Sequence, residues 1–355
     1  MSTNNKVGII GCGHISDTHI KSWQKAKHST PYAVFDISRE AAEAKAAKYG
    51  IPEVYTDIEE IITACDVLDV CTPPQTHFDI VMKIIASGKH LIVEKPLVTD
   101  IDQWEKIKAA LKDSPSKISV LHNLKYSLAI QQAKAVVDSG RIGKLLRINR
   151  YFLTHPNSDR MLVGNSHWSH KLPGGRWYET MPHELYITHF FAGWSELTNV
   201  VVHHGETALP GAPAEEVLFT LQNEGVLSTY HYSSNCEMNK RYIEIIGSKG
   251  MITIDVLGDM LFVDDSIDSK RRRAVGIIWM DSLKRVFAGV KDRVHYFRNK
   301  SRGVSPHTRI ILQFDEYLQG LAPSPTPLEE IDFVVTFSER VGKAIDKKLL
   351  STVEK

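Results

Sequence analysis

The stretch "KVGIIGCGHIS", residues 6–16, decides the fold. Its apolar run ends in two glycines and a serine with the spacing G-x-G-x-x-S, and polar, helix-compatible residues follow. In a strand-to-helix turn of this kind Gly11 permits the tight bend, Gly13 lets backbone approach a pyrophosphate, and a small third residue, here Ser16, lets the helix pack close to the strand. His14 and Ile15 complete the turn, and the helix N-terminus faces the anion. Spacing alone makes a weak motif. The second test is an acidic residue about 20 positions on, at the end of the next strand, to take the adenosine ribose hydroxyls. Asp36 stands there, closing "YAVFD" (32–36). Its charge repels a ribose 2′-phosphate and so favours NAD over NADP. Arg39 opposes that preference, because a guanidinium pairs well with phosphate.

Outward from this turn, short apolar runs alternate with helical patterns. "VGIIG" (7–11), "YAVFD", "VLDVCT" (67–72), "HLIVEK" (90–95) and "ISVLHN" (118–123) are expected as buried strands, separated by stretches such as "REAAEAKAAKYG" (39–50). The alternation predicts an α/β protein whose residues 1–123 form a Rossmann doubly wound parallel sheet. Beyond Asn123 one helix (about 127–139) leads into strands with period-two alternation: "LLRINRYFLT" (145–154), "EEVLFTLQN" (215–223), "VLSTYHYS" (226–233) and "RYIEIIGSKGMITID" (241–255). Residues 124–355 are expected to form an α+β domain on a mostly antiparallel open sheet, closed by helices at about 307–319 and 328–347.

Composition sets limits on partners. With 43 Lys and Arg against 42 Asp and Glu, the net charge of +1 gives no global attraction to nucleic acid. The four cysteines show no paired metal-ligand spacing, which predicts a reducing, cytoplasmic setting. The polar start "MSTNN" runs straight into a strand and no apolar run reaches about 18 residues, so no integral membrane contact is expected. The 16 histidines are scattered, and hydride transfer between a nicotinamide and an alcohol needs no metal.

"CTPPQTHFDIVMKIIASGKHLIVEKPL", residues 71–97, resembles the segment of the glucose-fructose oxidoreductase, inositol dehydrogenase and rhizopine catabolism (Gfo/Idh/MocA) family that carries a Thr-Pro turn, a His and a terminal Glu-Lys-Pro. The matching residues are Thr72, Pro73, His77, Glu94, Lys95 and Pro96. "HNLKY" (122–126) resembles that family's Asn-x-Arg-aromatic motif, with Lys125 in place of Arg, and "SGRIGK" (139–144) and "IEIIGSKGMITID" (243–255) extend the similarity. The resemblance implies an NAD-dependent oxidoreductase that moves a hydride between the nicotinamide and a secondary alcohol or ketone of a sugar, sugar nucleotide or cyclitol. Thr72, Pro73, His77, Glu94 and Lys95 join the cofactor set on this ground. Lys95, at the carboxyl end of a strand, is placed to hydrogen-bond or deprotonate a substrate hydroxyl.

"LPGGRWYETMPHELYITHFFAGW" (172–194) falls where the family has Gly-Gly and then Asp, a small residue, His and a second Asp. Here these positions are Gly174, Gly175, Glu179, Met181, His183 and Tyr186. Glu179 and His183 are four apart and share a helix face. The expected catalytic group is Lys95, His183 and Glu179, with Asn123, Lys125, Trp168 and Tyr186 added as substrate contacts. The replacements at 179, 181 and 186 imply altered substrate positioning. They also keep open a non-catalytic NAD sensor or scaffold of the same fold, and an enzyme acting on a non-sugar carbonyl or dihydrodiol.

One segment lies outside the resemblance. Residues 269–302 place Trp279, Leu283, Val286, Phe287, Val290, Val294 and Phe297 in one apolar stripe flanked by Lys284, Arg285, Lys291, Arg293 and Arg298. Packing on its own sheet or across a subunit interface is favoured; attraction to a diphosphate-bearing substrate or an anionic membrane surface are the alternatives. A homodimer or homotetramer through the second sheet is expected.

Overall fold

The computed structural model describes residues 4–155, 167–203, 214–265 and 304–353. The amphipathic segment expected at 269–302 lies outside them. The chain divides into two compact units: Met1–Tyr126 with Val304–Thr336, and Ser127–Gly303 with Phe337–Lys355.

The first unit is built on a parallel sheet of β1 (Asn5–Ile10), β2 (Ser29–Phe35), β3 (Glu53–Tyr55), β4 (Val67–Val70), β5 (His90–Val93) and β6 (Ile118–Val120), in the order β3-β2-β1-β4-β5-β6. This is the Rossmann order, with its switch point between β1 and β4, where such sheets bind ligands at the strands' carboxyl ends. The connections run through α1 (Ser16–Trp23), α2 (Arg39–Tyr49), α3 (Ile58–Ala64), α4 (His77–Ala86) and α5 (Ile101–Lys112). Their starts are written locally. Ser38, Asp57 and Asp100 cap α2, α3 and α5 by accepting the backbone N–H of Ala41, Glu59 and Asp102.

The second unit starts with α6 (Leu128–Asp138) and carries a seven-stranded sheet. Its strands are β7 (Leu145–Leu153), β8 (Glu196–His203), β9 (Glu216–Gln222), β10 (Leu227–Ser233), β11 (Lys240–Gly247), β12 (Met251–Asp255) and β13 (Met260–Asp264). The order is β13-β12-β11-β7-β10-β9-β8, parallel between β7 and β10 and antiparallel elsewhere. Alternate side chains such as Val217, Phe219 and Leu221, or Ile252 and Ile254, are buried. That face packs against α7 (Arg176–Ala192), where Trp177 meets the Phe152 ring edge-on at 6.0 Å and stacks on Tyr232 at 5.0 Å.

The chain closes with α8 (Pro306–Leu318) and α9 (Leu328–Val353). The first unit's N-terminal segment ends at Tyr126, close to the expected 123, but residues 304–336, expected in the second domain, group with the first unit. Ile310, Ile311 and Phe314 pack with Ile20 and Trp23 on one side of the parallel sheet, and Ile331 and Val335 pack with Trp104 and Ile107 on the other. Burial of these apolar side chains draws residues 304–336 into the first unit. Among the described residues, no helix is long and apolar enough to cross a membrane.

Candidate active site

In the first unit the glycine turn has the geometry its residues require. Gly11 has φ +98°, and a Cβ there would lie 2.9 Å from the Cys71 carbonyl carbon and 3.0 Å from the Thr72 side chain, so the turns after β1 and β4 touch at this point. Gly13 has open space where its Cβ would project. Ser16 is buried and donates its hydroxyl to Gly13 O at 2.7 Å, so the third small position ties the turn to the first residue of α1. Among the described residues no acceptor pairs the backbone N–H groups of Gly13, His14 and Ile15. Open space over Gly13 and unpaired donors at a helix N-terminus fit a pyrophosphate.

Asp36 closes the same turn. Its Oδ2 accepts the backbone N–H of Cys12 at 2.7 Å and its Oδ1 that of Ser38 at 2.9 Å. A carboxylate has further lone pairs for ribose hydroxyls. Ile37 beside it is 98% exposed, an apolar side chain at the rim of the cradle. Arg39 is exposed and pairs with Glu43 at 2.7 Å, one turn along α2. Lys45, which sequence reading passed over, donates to Gly13 O at 3.2 Å.

The Thr-Pro turn after β4 leaves Thr72 partly exposed and Pro73 exposed. His77 departs from its expected place against the cofactor. It is buried, with Nδ1 2.9 Å from Pro96 O and Nε2 2.8 Å from Thr72 O, so it staples the Glu-Lys-Pro segment to the Thr-Pro turn. Burial leads the lowering of its pKa. Lys95 follows β5, is partly exposed, and precedes a cis peptide bond to Pro96. Glu94 turns inward: its Oε1 lies 2.9 Å from His19 Nε2, and its Oε2 accepts the backbone N–H of Lys95 at 3.1 Å.

The "HNLKY" residues divide. Asn123 places its Nδ2 3.0 Å from the Nε2 of His307 on α8. Lys125 is buried and donates to both oxygens of Glu330 at 2.7 and 2.6 Å, while His122 Nδ1 lies 2.6 Å from the same carboxylate. Lys125 therefore spends its charge on α9 inside this unit and not on an open surface. Burial works to raise the Glu330 carboxyl, but His122 and Lys125 outweigh it and hold the group below its ordinary value.

In the second unit α7 begins after Gly174 and Gly175, which have φ of +72° and +64°. A Cβ at Gly174 would meet Gly342 Cα at 3.1 Å, so only glycine allows this approach to α9. From Arg176 to Thr188 the helix is buried except at two positions, Glu179 and His183. Their spacing and their shared access agree. The replacements beside them fall elsewhere: Met181 is fully buried in the core, and Tyr186, also fully buried, sets its hydroxyl 2.7 Å from His183 Nδ1. The Tyr186 hydroxyl is thus within hydrogen-bond distance of the imidazole. Arg176, buried among Phe152 and Trp177, brings Nη1 to 3.9 Å from Glu179 Oε2. Trp168 sits partly exposed on a short 3-10 turn, its ring 4.9 Å from that of His167.

Comparison with known proteins agrees with both units. The family described as Oxidoreductase family, NAD-binding Rossmann fold (GFO_IDH_MocA) matches residues 5–122, and the GFO/IDH/MocA C-terminal domain matches residues 130–253. The chain is similar to an inositol 2-dehydrogenase of Rhizobium meliloti, 32% identical over 39% of this chain and 42% of that enzyme. It is also similar to an inositol 2-dehydrogenase of Ralstonia nicotianae, 28% identical over 70% of this chain and 73% of that enzyme. The fold is that of the WlbA dehydrogenase of Bordetella pertussis, solved with NADH and UDP-GlcNAcA, at TM-score 0.75 and 17% identity over 96% of this chain and 97% of that one. With its glycine cradle, its strand-end lysine and both domains matched, this chain belongs to the Gfo/Idh/MocA family of oxidoreductases, with that family's NAD-binding Rossmann domain.

Proposed function

We propose that this oxidoreductase interconverts a secondary alcohol and its ketone on a polyhydroxylated ring, a cyclitol, a sugar or a sugar nucleotide. The observation that carries the proposal is the pair Glu179 and His183, the two positions left partly open on an otherwise buried stretch of α7. Oxidation of a carbinol needs a hydrogen-bond acceptor and a proton acceptor, and this pair supplies both. The named relatives act in the same chemical class, on inositol, and the structural neighbour was solved with a nucleotide-linked sugar.

NAD supplies the hydride acceptor. The chain's own residues do the rest: Gly13 and the start of α1 cradle the pyrophosphate, Asp36 takes the ribose, and Lys95 holds the reacting hydroxyl. His183, kept in register by Tyr186, accepts that hydroxyl's proton, and Glu179 binds a neighbouring hydroxyl. Of the three replacements behind the sensor reading, those at 181 and 186 are buried, and the one at 179 keeps a carboxylate four residues from His183, which supports the enzyme.

A screen of myo-inositol, free sugars and UDP-sugars with NAD⁺, followed by NADH absorbance, tests the proposal. Turnover of at least one, cut about 10²-fold or more by Lys95→Ala and by His183→Ala, is the expected result. Tight NADH binding with no turnover of any would favour the sensor.

A further inference from the structure

Next to Lys95 in the chain, Glu94 joins a largely buried polar cluster that the proposed chemistry does not use. His19 on α1 stands between two carboxylates: Nδ1 is 2.9 Å from both oxygens of Asp69 on β4, and Nε2 is 2.9 Å from Glu94 Oε1. Asp69 also accepts Trp23 Nε1–H at 2.7 Å, and the Cys71 thiol lies 3.6 Å from its other oxygen. His19, Trp23 and Asp69 are each 0% exposed. A neutral imidazole has one donor and one acceptor, so a ring held at hydrogen-bond distance between two carboxylates donates to both only when both of its nitrogens carry protons. At 0% exposure the His19–Asp69 bond is shielded from water, and Asp69 has its acceptors filled by three donors.

We propose that His19 is a positioning residue for hydride transfer: by bridging Asp69 and Glu94 it fixes the Glu94 carboxylate, and through it the backbone that presents Lys95. The inference rests on the reading of Lys95 as the group at the reacting hydroxyl. Its reach follows from the chain path. His19 lies one turn past Ser16, so the bridge ties the helix that opens the pyrophosphate cradle to the strand end that carries the lysine. Electrostatics agree. Burial works against a charged His19, but the Asp69 carboxylate overrides it and holds the ring well above its ordinary pKa. Burial likewise works to raise Glu94, and the His19 hydrogen bond and charge hold it down at about 2. The groups facing His19 are Trp23 on its own helix, Asp69 and Cys71 at β4, Glu94 after β5, and His307 on α8, whose ring centre is 6.1 Å away; the Lys95 charge acts on Glu94 and His307. Cys71 is pushed up to about 12 by burial and then by Asp69, and His307 is pushed down to about 4, chiefly by burial. Both are neutral near neutral pH, which leaves His19 the cation of the buried cluster.

His19, Asp69 and Cys71 also stand close enough to suggest a metal site, with ligand atoms within 4.8 Å of one another. The hydrogen-bond distances and the protonated thiol favour the bridge.

The test uses the full-length protein. With ¹⁵N-labelled histidine, the His19 ring, assigned by its loss in His19→Gln, is expected to carry protons on both nitrogens at pH 8. A neutral ring there, or one equivalent of zinc retained in the purified protein, would overturn the proposal. In kinetics with NAD⁺ and whichever polyol the wild type oxidises, His19→Gln and Asp69→Asn are expected to lower kcat by up to about 10²-fold, the scale of a displaced reacting group, with KM for NAD⁺ within about threefold. His19→Gln should also gain an acid limb in its pH profile, because Glu94 then protonates at a higher pH. Unchanged kcat and pH profile with only a lower melting temperature would reduce His19 to a packing role. Should neither variant fold, His19 is assigned through its own bonds in uniformly ¹³C,¹⁵N-labelled wild type, and its nitrogen shifts decide. Normal turnover in Lys95→Ala would sink the reading of Lys95 while leaving the His19 shifts to stand, so the two failures are distinguishable.

Discussion

His183 Nδ1 and the Tyr186 hydroxyl stand 2.7 Å apart on α7, the imidazole partly exposed and the phenol fully buried. The phenol cannot reach outward, so its contribution is to fix the ring plane of its neighbour. Tyr186→Phe keeps the packing and removes the bond. We expect kcat to fall about tenfold with KM for NAD⁺ unchanged and the melting temperature only slightly lower, since one partly exposed hydrogen bond contributes about 1 kcal/mol. Steady-state kinetics at saturating NAD⁺ would measure it, and a large rise in substrate KM with kcat intact would instead make Tyr186 a binding residue.

Asp36 does two jobs, and its substitutions separate them. Both oxygens brace the turn through Cys12 N and Ser38 N, and its charge discriminates against a 2′-phosphate. Asp36→Asn keeps an oxygen for the brace and removes the charge. NADH affinity should fall by about tenfold, as for loss of a hydrogen bond to a charged group, and NADPH affinity should rise. Fluorescence titration with both nucleotides checks the change in ratio; equal weakening of both would mean that the brace alone matters.

The buried bridge gives stability a pH dependence with two arms. Glu94 falls from 4.5 to about 2 on folding, so its contribution, of order 3 kcal/mol, is present above pH 4.5 and is lost as pH falls toward 2. His19 is raised above 6.5, so its contribution is fully present below pH 6.5 and is lost as pH rises through its folded value. In melting curves taken from pH 3 to 10, His19→Gln should flatten both arms. A wild type with no acid arm between pH 4.5 and 3 would contradict the bridge.

What the sequence made legible follows from how each feature is built. The inner strands of the parallel sheet, buried on both faces, read as apolar runs, and the inner strands of the second sheet read as alternation. The three unread strands, β3, β8 and β13, are all edges of their sheets. β8 is mostly exposed and β13 is half-buried throughout, so one-sided neighbours impose little pattern on them. The glycine turn, the Glu-Lys-Pro segment and the Glu179–His183 spacing are local and were readable. The His19 bridge was not, because its partners lie 50 and 75 residues away, nor was the Lys125–Glu330 pair, 205 residues apart. Charges that meet only through the fold leave no periodicity, and the apolar contacts that group α8 and the start of α9 with the first unit likewise join residues far apart in the chain.

The two glycines of the cradle should fail in opposite ways. At Gly11 the backbone has φ +98° and a Cβ would press on the Cys71 carbonyl at 2.9 Å. Gly11→Ala therefore strains the fold itself, by about 1–3 kcal/mol, and should lower the melting temperature whether or not cofactor is present. At Gly13 a Cβ meets open space and the backbone is ordinary, so Gly13→Val should melt near the wild type in the absence of nucleotide. Its isopropyl group instead occupies the space through which a pyrophosphate reaches the N–H groups of His14 and Ile15. NADH binding should then weaken by about 10²-fold or more, and added NADH should no longer raise the melting temperature. Melting curves with and without NADH separate the cases. A Gly13→Val protein still stabilised by NADH as the wild type is would place the pyrophosphate somewhere other than this turn.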